Sequence, residues 1–473
     1  MIDFLIAAAL GAVRAEEPPS LLVIAPQALR APAEEYALQR RTDLPTEFMT
    51  LEQALTSSGT DDPERLKRTI FAKWQANPSL RHVLLVGDAD ILPVRYMVLD
   101  RVTPGAFDYA FYPSDLYYAD LARRDGSFDD WNRAQGDGSA EQAFHALYFG
   151  EVRGEKNKND AINFDAIDYR PEVAVGRWPA SSVEEVQRIA RKSLAWCGRR
   201  RPAEAALIAV SGWIENRPMM DHLAACLPRQ WVRTRLYWKD AARDDGTPQP
   251  DAEAARELLM RGVPFIFHSG HGSDDAWDQS LHASMAPLLT NHYEPVMLFS
   301  AGCSTARLVT LPPYEAYVDA HGAEHKGTNG GEIFSSPPPP PAPYQHGANN
   351  PTGLGEAMLR ATDGGAAAYF GCTTGSQPCA MTLLEGFASA LAREESPRLG
   401  DAWIRAIDHY WTKENLSSIE PTESWYPSSI FFQGMKFILY GDPSLPTVVL
   451  REQPAQPASH EASKTLRAPA AVR

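Results

Sequence analysis

Residues 263–306 read VPFIFHSGHGSDDAWDQSLHASMAPLLTNHYEPVMLFSAGCSTA, and the fold is decided there. Two short apolar runs, VPFIF at 263–267 and VMLF at 296–299, each stop abruptly in small residues and one reactive side chain. The first gives way to His268-Ser269-Gly270-His271-Gly272, the second to Ser300-Ala301-Gly302-Cys303-Ser304. Continuous apolar runs of this length, closed by glycine, predict central strands of a parallel sheet buried on both faces. Open α/β sheets bind ligands beyond the carboxyl ends of their strands. An imidazole and a thiol are therefore expected on the edge of the sheet where chemistry is done.

A thiol attacks as thiolate, and a neighbouring imidazole takes its proton. Glycine lets the chain turn sharply and lets a substrate come close, and N–H groups exposed in such turns hold a developing oxyanion. Taken singly, a Cys after an apolar strand reads as a small buried hydrophobe, and a His in a glycine turn reads as a structural hydrogen-bonder. The pair on two strand ends, each framed by Gly and Ser, turns the reading toward a Cys303–His271 dyad. Asp274, Asp275 and Asp278 follow the histidine and read as a solvated turn. His268 falls within the strand.

The rest of the chain supports a βαβ alternation. Strands are expected at 21–25, 82–86, 172–175, 206–211, 232–238, 366–370 and 437–440. Helices are expected between them, one opened by Asp61 and Asp62 and one by the capping-box pattern Ser181-Ser182-Val183-Glu184-Glu185. A third is capped by Asp251 and ends at Gly262. A basic stop at Arg199, Arg201 and Pro202 marks the best boundary between two halves. The expected organisation is a leader or N-terminal extension at 1–19, an N-terminal α/β half at 20–201, a catalytic α/β half at 202–450 and an unstructured tail at 451–473. Residues 308–350, rich in Pro and Gly, interrupt the second half as a surface insertion, read either as a solvated loop or as a flap over the substrate cleft. Residues 125–130, DGSFDD, read as a solvated acidic loop or as carboxylates for Ca²⁺.

Length and composition set bounds. At 473 residues two subdomains are expected. A net charge of −15 argues against nucleic acid and anionic membrane surfaces as partners. Five cysteines are too few for a disulfide framework and leave at least one thiol free. No internal stretch is long enough to span a bilayer.

The ordered motifs resemble the gingipain-type cysteine peptidases of the caspase-like group. HGSDDAW at 271–277 with a Cys 32 residues after the His is joined by LLVGD at 84–88, SDLYYA at 114–119 and PEVAVGR at 171–177. GEAMLR at 355–360, GGAAAY at 364–369 and YGDPSL at 440–445 complete the set. The resemblance implies an α/β caspase-like fold of two similar subdomains, each with a mainly parallel sheet flanked by helices. It implies peptide-bond hydrolysis on protein or peptide substrates, with Cys303 as nucleophile, His271 as general acid and base, and the N–H groups of Gly272 and Cys303 as oxyanion hole. It places Glu172 as the acid orienting His271; read from the residues alone, Glu172 is equally a solvated strand-edge carboxylate. No cofactor is required, calcium is admitted as a structural ion, and a secreted or cell-envelope protein is expected, with the cytoplasm left open. A non-enzymatic surface protein on the same fold, or a thiol transpeptidase or amidase, is the competing reading. Arginine-directed members hold the substrate cation with an acid and an aromatic wall. Their positions fall near Val183, next to Glu184, and near Gln377-Pro378, where this chain has neither group, so small or apolar P1 residues are expected.

Overall fold

The computed structural model describes residues 18–98, 111–131 and 162–447, apart from 164, 169, 200, 242, 245, 335–337, 394–396 and 425. Most of the expected leader and the whole expected tail lie outside the described residues. Fourteen strands follow along the chain: β1 (Ser20–Ala25), β2 (Thr46–Thr50), β3 (Leu80–Val86), β4 (Tyr96–Val98), β5 (Phe111–Pro113), β6 (Ala174–Trp178), β7 (Glu204–Ala209), β8 (Val232–Tyr237), β9 (Phe265–Ser269), β10 (Val296–Ser300), β11 (Tyr317–Val318), β12 (Glu324–His325), β13 (Ala366–Cys372) and β14 (Phe437–Gly441).

Ten of them form one sheet in the order β2-β1-β3-β6-β14-β13-β10-β9-β7-β8. The first four are mutually parallel, and β14 runs with β6. The β13–β14 pair is antiparallel, so β13, β10, β9, β7 and β8 run the other way. The sheet strands of the expected N-terminal half thus run one way together with β14, and the other sheet strands of the expected second half run the other way, in a single, mostly parallel sheet. Side chains alternate between two cores, one on each face: Leu22 and Ile24 lie in one with Phe265, Phe267 and Phe299, while Leu21, Val23, Ile266 and Leu298 lie in the other. This two-sided burial is why the strands read as unbroken apolar runs.

Helices cover both faces for local reasons. The helix Val183–Cys197 starts where Ser182 accepts from the Glu185 N–H at 3.3 Å, and Val186, Ile189, Ala190 and Trp196 turn inward. Asp251 caps Ala252–Met260 by accepting from Ala254 N–H at 2.9 Å.

Buried charge pairs brace the fold, one within the N-terminal half and two between the halves. Arg177 forms a bidentate pair with Asp115, both bonds 2.8 Å. Asp88 accepts from Arg360 at 2.7 Å, and Asp442 accepts from Tyr36 at 2.5 Å and pairs with Arg40 at 3.2 Å. A bidentate guanidinium–carboxylate fork satisfies both charges, and losing one partner of such a buried pair costs several kcal/mol. Five of the quoted motifs, VGD, SDLYYA, VGR, GEAMLR and YGDPS, carry these pairs.

Two expectations are corrected. The strand expected at 172–175 begins only at Ala174, which leaves Glu172 outside it. The 308–350 insertion is no flap over the cleft. It folds a β11–β12 hairpin and packs on the N-terminal half, where Val94 N–H donates to Pro343 O at 2.9 Å, Gln345 N–H to Ala89 O at 3.1 Å and Tyr344 to Asp62 at 2.9 Å. In the acidic loop, Asp125 accepts from the Ser127 N–H at 3.0 Å and from its hydroxyl at 2.6 Å, and Asp130 pairs with Arg123 at 3.1 Å.

Candidate active site

β9 and β10 are adjacent and parallel, in register Phe267 to Phe299 and His268 to Ser300. Their ends are pinned together. His268 Nδ1 and Ser300 Oγ hydrogen bond at 2.8 Å, Ser300 Oγ accepts from Gly302 N–H at 3.1 Å, and Ala301 N–H donates to His268 O at 3.0 Å. The His268 ring stacks on Trp277 at 4.5 Å with a 2° interplanar angle. Burial pushes its pKa down to about 3, so it stays neutral. His268 is thus structural, and it holds the two strand ends from which His271 and Cys303 project.

The turns beyond are built for close approach. Gly270 has φ +123°, and a Cβ there would stand 2.3 Å from Val210 O. A Cβ on Gly272 would stand 2.5 Å from Thr305 Cγ2 and 3.0 Å from Cys303 O. Only glycine lets these loops touch. Ser304, directly after the cysteine, takes the left-handed conformation at φ +56°, which costs a non-glycine residue about 1 kcal/mol or more. Its N–H donates to Thr374 O at 2.8 Å. The turn presents Cys303 outward, half-buried.

His271 and Cys303 line one pocket of about 480 Å³. His271 N–H donates to Ser211 O at 2.9 Å, and the Trp213 ring meets the imidazole edge-on at 5.3 Å. Cys303 Sγ accepts from Ser376 N–H at 3.3 Å and lies 3.6 Å from Ser376 O. The N–H is placed to stabilise a thiolate. Among the described residues no ion pair joins His271 to a carboxylate, and neither Gly272 N–H nor Cys303 N–H makes a backbone hydrogen bond. Burial pushes the other four thiols up: Cys372 to about 12, Cys379 and Cys197 to about 11, and Cys226 in the same direction.

The structure brings His271, Cys303 and Gln377 to one pocket and sets Gly272 beside Cys303, outside the pocket lining, but it does not bring Glu172 or Glu184 there. Glu172 lies four strands from β9, a lateral separation of about 19 Å at the usual strand spacing. Its carboxylate accepts from Leu121 N–H at 2.6 Å and Ala122 N–H at 3.1 Å, and burial raises its pKa. It braces the N-terminal half, and among the described residues no hydrogen bond or ion pair joins it to His271. Glu184 is exposed in the first turn of its helix and does not line the pocket. Among the described residues no carboxylate lines it. Its walls are Trp213 and Ile214 after β7, Ala301, and Pro378, Met381 and Tyr426, with Asn216 and Gln377 as polar groups. Sequence reading missed Trp213, Ile214 and Asn216. Their signal was present, because the run ALIAV at 206–210 also ends in Ser-Gly, as a third strand beside the other two.

A sequence model of peptidase family C25 matches residues 14–448. The chain belongs to peptidase family C25. As a gingipain-family protein it is a cysteine-type peptidase. Solved structures agree on the fold. The Arg-specific cysteine proteinase gingipain R is 15% identical, with a TM-score of 0.58, covering 92% of this chain and 79% of that one. The complex of the pro- and mature domains of RgpB from Porphyromonas gingivalis is 14% identical, with a TM-score of 0.57, covering 90% and 79%. A structure described as a protease is 16% identical, with a TM-score of 0.55, covering 91% and 78%. A search of curated proteins finds no match. No described helix of this C25 member is long and apolar enough to cross a membrane.

Proposed function

We propose that this peptidase is an endopeptidase working through a Cys303–His271 dyad and preferring apolar P1 residues. The observation that carries this is the shared pocket: both reactive side chains line it, and among the described residues no acidic one does. Cys303 gives its proton to His271 and its sulfur bonds to the substrate carbonyl carbon. The oxyanion that forms is held by the Gly272 and Cys303 N–H groups. His271 donates the proton to the leaving amine as the C–N bond breaks. Water then attacks the thioester while His271 takes its proton, and the thiol is restored as the acid product leaves. Thiol, imidazole, backbone amides and the attacking water supply every proton and charge in this sequence.

An arginine side chain in this pocket would lose water with no carboxylate to meet it, an unfavourable exchange. Trp213, Ile214 and Met381 instead offer apolar surface. The family reading also supports action outside the cell or at its envelope. The test is a P1 scan over a fixed fluorogenic peptide frame with wild type, Cys303→Ala and His271→Ala. Cys303→Ala should abolish cleavage, and His271→Ala should lower kcat at least ~10²-fold, the usual size of a lost general acid–base contribution. Arginine exceeding every other P1 residue by ~10², about 2.7 kcal/mol, would overturn the apolar assignment. Transfer to an added amine in place of water would mark a transpeptidase.

A further inference from the structure

Three helices meet away from the dyad: Arg217–Cys226, Ala380–Leu391 and Leu399–Lys413. The first carries His222 and Cys226, four residues apart and hence on one face. Their Nε2 and Sγ are 3.9 Å apart. Glu385 on the second helix reaches His222 Nε2 at 3.4 Å and His409 Nε2, on the third, at 3.2 Å. The ligand atoms of His222, Cys226 and Glu385 all lie within 4.8 Å of one another, the one such group of His, Cys, Asp or Glu among the described residues.

We propose that His222, Cys226, Glu385 and His409 form a binding site for a divalent transition ion, zinc above all. Zinc takes four N, S and O ligands tetrahedrally, and bonds of about 2.0–2.3 Å place neighbouring ligand atoms ~3.3–3.6 Å apart. The contacts at 3.4 and 3.9 Å are close to that spacing. The donor set is too soft for calcium or magnesium, which prefer oxygen alone. Lys413 also contacts Glu385 and its ammonium would move aside as the ion arrives. The exposed His222 gives the ion an entry path.

The site has a mechanical consequence for the pocket. Asn216 directly precedes the first helix and Met381 lies in the first turn of the second, and both line the pocket. His222 and Glu385 are six and four residues further along, about 9 and 6 Å at the helical rise. An ion there ties two pocket walls together from outside the reaction.

The test uses full-length Cys303→Ala protein, so that the catalytic thiol cannot bind metal. After stripping with a chelator it is titrated with Co²⁺, followed by thiolate-to-cobalt charge-transfer absorption, and then with competing Zn²⁺. One Co²⁺ per chain with that band, displaced by Zn²⁺, is expected. Adding Cys226→Ser should abolish the band. His222→Ala and His409→Ala should each weaken Zn²⁺ binding at least ~10-fold, the loss already seen for groups one layer out from a metal. Zn²⁺ should raise the melting midpoint of the Cys303→Ala protein and leave that of its Cys226→Ser derivative unmoved. No charge-transfer band, or binding indifferent to both Cys226→Ser and His222→Ala, overturns the proposal. Cys226→Ser is nearly isosteric and His222 is exposed, so unfolding of both variants is not expected; apo melting curves check this.

Discussion

Trp213 lies 89% exposed at the lip of the pocket with its ring against His271. A free protein gains little from so exposed an indole, so its value must come from what covers it. A tryptophan side chain offers ~250 Å², of which ~220 Å² is open here; a substrate side chain lying on one face covers about half, ~110 Å². At ~25 cal/mol per Å² this is ~2.7 kcal/mol, or ~10² in kcat/KM. Trp213→Ala should therefore lower kcat/KM about 100-fold for peptides with apolar P1 residues, mostly through KM, while the melting midpoint stays within experimental error. Trp213→Phe should recover most of the loss. The assay pairs steady-state kinetics on the P1 series with thermal melts. A loss below about threefold, or a fall in melting midpoint matching the loss of activity, would refute the reasoning, because the indole would then be idle or structural.

Other consequences are as direct. Iodoacetamide should modify Cys303 first, because burial pushes the other four thiols up and only the thiolate reacts; peptide mapping showing equal labelling of all five in native protein would contradict the dyad. Glu172→Gln should leave kcat/KM within about threefold and show its cost in the melting curve, since its bonds to Leu121 and Ala122 N–H are of the charge-assisted kind worth ~1.5–3 kcal/mol. A kinetic loss like that of His271→Ala with an unchanged melt would restore Glu172 to the chemistry. The His325 knot should be pH-dependent. Against the effect of burial, Glu332 at 2.8 Å and Asp319 at 3.1 Å raise the His325 pKa above 6.5, while His325 lowers both acids below 4.5 and 3.8. The raised histidine stabilises below its unfolded pKa and loses this as pH climbs through the folded one. The lowered acids stabilise above theirs and lose it as pH falls. The hairpin should be held best between about pH 4.5 and 6.5, and an NMR titration placing His325 at or below an ordinary histidine would contradict the pairing.

The sheet was legible because its strands are buried on both faces, so Phe265–Ser269 and Val296–Ser300 stand out as apolar runs closed by glycine. The two reactive residues were legible for the same reason, since a strand end in a parallel sheet is a place as well as a pattern. Glu172 was misplaced because its role was carried over along the chain, whereas a third residue's contact with His271 depends on the order of strands in space, which no local periodicity encodes. The insertion was misread because proline content speaks of extended backbone and not of what that backbone lies on; Pro343 and Gln345 find Val94 and Ala89, some 250 residues earlier. The pocket walls at Trp213 and Met381 were not read as a site because an exposed Trp after a strand and a Met on a helix are ordinary until β7 is seen beside β9.

The place of β14 has a consequence for how the enzyme is made. It occupies the middle of the sheet, between β6 and β13, yet comes last of the described strands in chain order. Until residues 437–441 exist, two finished half-sheets each present a bare edge of unpaired N–H and C=O groups, the kind of edge that recruits stray strands. At cellular rates of ~5–20 residues per second, that interval after β13 lasts roughly 4–14 s. Only then does Asp442 arrive to meet Arg40 and Tyr36 and lock the helix Arg30–Arg40 to the turn after β14.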